Sequence, residues 1–263
     1  MLASFVLCTL AALQAGEVPK QPTAAAQLNY AKKVKSESRG TEGAERVAAL
    51  QRALEAYAAV PRYWPDGGTL LAEAAFRRGE IHRGLGQAGA ARGAFQEALD
   101  HGQGTDFVPR ALLEIGHLHR REREMDAAVQ AYQRVQALPG VNLRYLNDSR
   151  EWTGKVQLDL AQWEAAASSF AAWAANAEGP VEVVRAADLE AKAWIGKGDL
   201  VRAENRIRAV QAQMEALASE PTKEAEELRS ALERMKSPEL LRKAREKQVG
   251  GAAAAVDEAL EEP

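Results

Sequence analysis

GEIHRGLGQAGAARGAFQEA, residues 79–98, holds the pattern that decides the fold. Gly79 is followed twelve residues later by Ala91, and four residues further on by Phe95. The same set returns as Gly116, Ala128 and Tyr132, and again as Gly154, Ala166 and Phe170. A fourth set, Ala191, Ala203 and Ile207, has alanine for glycine and isoleucine for the aromatic residue. The first members stand 37, 38 and 37 residues apart. Four matches in phase define an internal repeat, the feature to seek first in an alanine-rich helical chain. A separation of twelve leaves one helix, crosses a short turn and enters the next. Small residues at the first two positions let two antiparallel helices approach closely. The large residue, a turn further along the second helix, is expected to fill the gap between neighbouring pairs.

Breakers mark the joints. Within repeats they are Gly86-Gln87-Ala88-Gly89, Glu122 to Met125, Leu160 to Trp163, and Gly196 to Asp199. Between repeats they are His101 to Gly104, Leu138-Pro139-Gly140 and Glu178-Gly179-Pro180. The run Gly79, His82, Ala91, Phe95, Ala98 resembles the tetratricopeptide repeat (TPR) family, and the resemblance covers roughly residues 70–217. Each unit is three or four residues longer than the 34 usual in that family, and Arg78, Thr153 and Trp173 depart from its pattern. The longer units are similar to those of bacterial envelope members. The resemblance implies an all-α, right-handed α-solenoid of antiparallel helix pairs with a C-terminal capping helix. It implies a non-catalytic protein–protein interaction scaffold, with first-helix residues lining a groove for a partner segment.

The flanks give the remaining organisation. Leu2 to Leu13 is an uncharged apolar stretch, too short to span a bilayer, and residues 1–15 read as a signal peptide. That points to an exported, periplasmic or envelope-associated chain with no integral span once the signal is removed; a cytosolic adaptor is the alternative. Residues 16–40 are expected to be partly disordered. Residues 41–67 give an amphipathic helix, with Val47, Leu50, Leu54 and Tyr57 on one face, and a turn from Pro61 to Gly67. With residues 24–36 as partner, that helix makes a divergent first repeat. Repeats occupy 68–217 and capping helices 218–248, with Ala225, Leu228 and Leu232 spaced to dock. An acidic, disordered tail is expected over 249–263.

Composition excludes several function classes. A net charge of −3 argues against a general nucleic-acid binder. The single cysteine, Cys8, excludes an internal disulfide framework and a cysteine-based zinc site. A mean hydropathy of −0.35 excludes a polytopic membrane protein. Gly84 to Gly89 matches G-x-G-x-x-G, yet it falls on a helical repeat's own turn rather than after a strand, so no dinucleotide site is expected. His117 and His119 point about 200° apart on a helix and cannot share a metal. His82 and His119 occupy the same place in consecutive repeats, which reads as packing. No nucleophile elbow or Cys–His pair is present. Neither catalytic residue, cofactor nor metal is therefore expected.

The first helices remain. Offsets of −3, +1 and +4 from each small residue share one helix face. They select Phe76, Glu80 and Arg83; Leu113, His117 and Arg120; Glu151, Lys155 and Leu158; Asp188, Lys192 and Ile195, with Arg110, Arg121 and Arg185 close by. The groove expected from Phe76, Glu80, Arg83, Arg110, Leu113, His117, Arg120, Lys155 and Lys192 suits a partner segment carrying acidic residues. An alternative is a glycan-binding or accessory solenoid that uses exposed Trp152, Trp163 and Trp173.

Overall fold

The computed structural model describes residues 17–248, so the stretch read as a signal peptide (1–15) and the tail expected over 249–263 lie outside the described residues. Among those described, every regular element is a helix. In chain order they are α1 (Ala24–Ser36), α2 (Gly43–Tyr63), α3 (Thr69–Gly84), α4 (Ala88–His101), α5 (Phe107–Arg121) and α6 (Met125–Gln136). There follow α7 (Leu143–Asp159), α8 (Trp163–Ala174), α9 (Pro180–Lys197), α10 (Leu200–Ala218) and α11 (Lys223–Glu233), and residues 237–248 are helical too. The chain forms two compact units, one ending at Leu118 and one beginning at His119. In the first, α1 packs on α2, α2 on α3, and α3 on α4. In the second, consecutive helices from α6 to α11 pack in the same way, and α11 also reaches α9.

The repeat's small and large residues meet inside one pair. A Cβ on Gly79 would stand 2.5 Å from the Phe95 ring, and one on Gly154 would stand 2.7 Å from that of Phe170. Ala91, Phe95, Ala166 and Phe170 are all fully buried. The aromatic ring thus caps the glycine of its own pair, where the spacing had suggested a filler between pairs. Trp163 takes the between-pair role in the second unit, since a Cβ on Gly196 of α9 would lie 2.7 Å from its ring.

The turn inside each repeat is one conformation used four times. Gly86, Arg123, Ala161 and Gly198 all adopt the left-handed region, with φ of 73°, 64°, 55° and 84°. The next amide in each case bonds back to the carbonyl five residues earlier: Gln87 to His82 at 2.9 Å, Glu124 to His119 at 2.9 Å, Gln162 to Gln157 at 2.8 Å and Asp199 to Trp194 at 2.9 Å. This closure satisfies carbonyls the ending helix would leave open. It recurs even where the left-handed residue carries a side chain.

Residues 24–36, within the stretch expected to be partly disordered, form α1. Thr23 caps it by accepting from the Ala26 amide, and Leu28, Ala31 and Val34 are buried beside Leu54 and Tyr57 of α2. That burial offsets the ordering entropy a polar segment could not meet. Val47 is exposed, so the apolar face of α2 begins a turn later than its spacing suggests. α2 also runs through Pro61 to Tyr63. Proline in the last turn forfeits a single amide bond, and the Trp64 amide still reaches Val60 at 2.9 Å.

Candidate functional site

The charged residues of the first helices are held in pairs. In the first unit Lys32 of α1 meets Glu73 of α3 at 2.9 Å, Glu73 meets Arg77 at 3.6 Å, and Arg77 meets Glu80 at 2.8 Å. Burial pulls the Arg77 guanidinium's pKa down, and its bond to Glu80 with the Glu80 and Glu73 charges more than reverses this. Arg83 reaches both carboxylate oxygens of Glu114 on α5, at 2.7 and 2.6 Å. Arg110 lies over the Phe76 ring at 4.3 Å and over Phe107 at 5.4 Å. Phe76 itself is 2% exposed and tilted against Phe95 and Phe107. Phe76 and Leu113 therefore belong to the core, because the −3 offset points into the helix interface rather than out of it. His117 is half-buried and has an interaction partner.

In the second unit the cluster centres on Glu151 and Trp152. Arg120 and Lys155 lie over the Trp152 ring at 4.5 and 4.4 Å. The Lys155 Nζ also donates to Glu151 at 2.6 Å, and Arg185 of α9 donates to the same oxygen at 3.1 Å. Arg185 stands over Trp173 as well, at 5.3 Å. Burial, then the Glu151 charge, pushes the Asp148 carboxyl above its ordinary range, against the pull of Arg144 and Arg185. Lys192 pairs with Asp188 on α9. The other Asp188 oxygen accepts from the Lys236 and Ser237 amides at 2.9 and 2.8 Å, fixing the start of the 237–248 helix.

The offsets select Glu80, Glu151 and Asp188 and pass over Glu114, whose partner lies on the preceding first helix. Glu114, Glu151 and Asp188 neutralise much of the positive charge assigned to the groove. The glycan alternative loses its platform: Trp173 is 1% exposed, Trp163 packs on Gly196, and Trp152 lies under two cations. His82 and His119 tie the turn, since their Nδ1 atoms meet Gln87 Oε1 at 2.7 Å and Glu124 Oε2 at 2.5 Å. His119, Glu122 and Glu124 bring one possible ligand atom each within 4.8 Å of the others, a grouping that the H-x-x-E-x-E spacing could have signalled. No helix among the described residues is long and apolar enough to cross a membrane.

No family model matches the chain, and no curated protein is significantly similar to it. Solved structures are. A MamA structure is 18% identical, covers 74% of this chain and 96% of its own, and superimposes with a TM-score of 0.55. The nearly identical TPR-like repeats of a Podosopora anserina protein are 13% identical, covering 74% of this chain and 99% of their own, at a TM-score of 0.51. BtubC from P. vanneervenii is 15% identical, covers 90% and 93% of the two chains, and gives 0.51. Identity this low speaks for the backbone alone, and the backbone agrees with the repeat spacing and the four matching turns. The chain has the tetratricopeptide-like fold, an all-α solenoid class built from consecutive helix pairs.

Proposed function

We propose that the chain is a non-catalytic protein–protein interaction scaffold of the bacterial cell envelope that grips a partner segment on its first helices. The observation that carries this reading is the series of partly buried cation, carboxylate and aromatic clusters along the first helices, at Arg77–Glu80, Arg83–Glu114 and Trp152–Lys155–Glu151. Such clusters supply hydrogen-bonding and stacking anchors without a nucleophile or a proton-transfer pair. The apolar run from Leu2 to Leu13 supports export.

The test is crosslinking capture from an envelope fraction with the full chain and with Arg83→Glu/Arg120→Glu. A protein captured by the first and lost by the second is the expected result. Equal capture by both would move the interaction off the first helices. N-terminal sequencing of the chain made in a bacterium should begin at residue 16, whereas retention of residues 1–15 would favour the cytosolic adaptor.

A further inference from the structure

We propose that the cleft between α9 and α11 receives one aliphatic side chain of a partner protein segment, flanked in that segment by carboxylates that reach Arg185 and Arg234. This deepens the scaffold reading and rests on it. The cleft has a volume of about 280 Å³, with Val184, Ala231 and Met235 among its walls. That is at the small end of ligand sites, ~300 Å³, and leaves room for one anchoring side chain. The walls are apolar, so an aliphatic group gains by entering, while an inserted polar group would lose its hydrogen bonds to water.

The rim sets the charge of what flanks the anchor. Among the described residues Asp188 is the one carboxylate lining the cleft, and its oxygens are already committed to Lys192 and to the Lys236 and Ser237 amides. Arg185 is 54% exposed and shares its charge with Glu151. Arg234 donates only from Nε, to the Ser230 carbonyl at 2.9 Å, so its two terminal nitrogens have no partner among the described residues. A guanidinium fork of this kind is shaped for a carboxylate. An apolar slot between two arginines selects an acidic–aliphatic–acidic sequence and disfavours a basic one.

Methionine gives a direct readout. The chain has four methionines, of which Met235 lines the cleft, Met214 is buried in the core and Met125 starts α6. Full-length chain with ¹³C-labelled methionine methyls is titrated with the blocked peptide acetyl-Glu-Asp-Leu-Glu-Asp-amide. A saturable shift of the Met235 methyl is expected, with Met125 unmoved. Binding should weaken at least about tenfold when the peptide's leucine becomes alanine, and likewise in Arg185→Gln/Arg234→Gln and in Ala231→Phe, which fills the cleft. An unmoved Met235, an equal response to a lysine-flanked peptide, or a shift that follows the protein's own concentration without peptide would each overturn the proposal. Envelope capture that persists in Arg185→Gln/Arg234→Gln while the peptide fails to bind overturns this inference and leaves the scaffold reading standing. Peptide binding at Met235 without any envelope partner keeps the cleft and removes the envelope reading.

Discussion

Arg123 and Ala161 sit in the left-handed region that a Cβ disfavours by roughly 1–2 kcal/mol. Glycine regains that energy but costs about 0.5–1 kcal/mol in chain entropy. Arg123→Gly and Ala161→Gly should therefore each stabilise the chain by about 0.5–1 kcal/mol, seen as a higher urea midpoint with unchanged slope. Gly79→Ala acts the other way. Its Cβ would lie 2.5 Å from Phe95, and the overpacking should cost about 1–3 kcal/mol, partly recovered in the double variant with Phe95→Leu. At Tyr57, burial first, with Glu73 and Glu80 assisting and Arg77 opposing, pushes the phenol from 10.0 up to about 12. The folded state holds that proton more tightly than the unfolded chain does. Its contribution is complete below pH 10 and is lost as pH rises through about 12. Phenolate absorbance should show a late-titrating component that is lost in Tyr57→Phe. Gly79, Ala91 and Phe95 were legible in the sequence because close packing leaves a small–small–large signature. Arg123 was not, because the turn keeps its shape with either residue type.

Single helices tell a different story. α9 holds the 237–248 helix through Asp188, which takes two amides at that helix's start and so acts as a cap supplied by another element. Asp188→Ala should leave those amides without an acceptor, at a cost of about 1–3 kcal/mol. Hydrogen exchange should quicken over 237–248 and stay unchanged over α3 and α4. The helical offsets placed Asp188 and Lys192 on one face correctly, yet gave no sign that a distant helix start would claim the carboxylate. The same limit explains Phe76. A 3.6-residue period fixes which residues share a face; it does not say whether that face meets solvent, a neighbouring helix or a chain end. The neutralising role of Glu114 was hidden for the same reason, since it lies 31 residues from Arg83.

For the molecule as a whole, nearest-neighbour packing predicts additive stability. Gly79 and Gly154 lie in different compact units and press on different rings, Phe95 and Phe170. The losses from Gly79→Ala and Gly154→Ala should sum to within about 0.5 kcal/mol in the double variant. A larger discrepancy would mean that the two glycine sites are energetically coupled.

The recurrent turn has an evolutionary reading. Gly86, Arg123, Ala161 and Gly198 end their first helices on backbones of one shape, so a stretch excised from one to the next carries a whole period with matching ends. Duplicating Gln87 to Arg123 in frame would add one more unit without creating a joint of a new kind. Growth and shrinkage of the array by recombination are then tolerated events, and the four turns are the seams along which a gene of this type can change length.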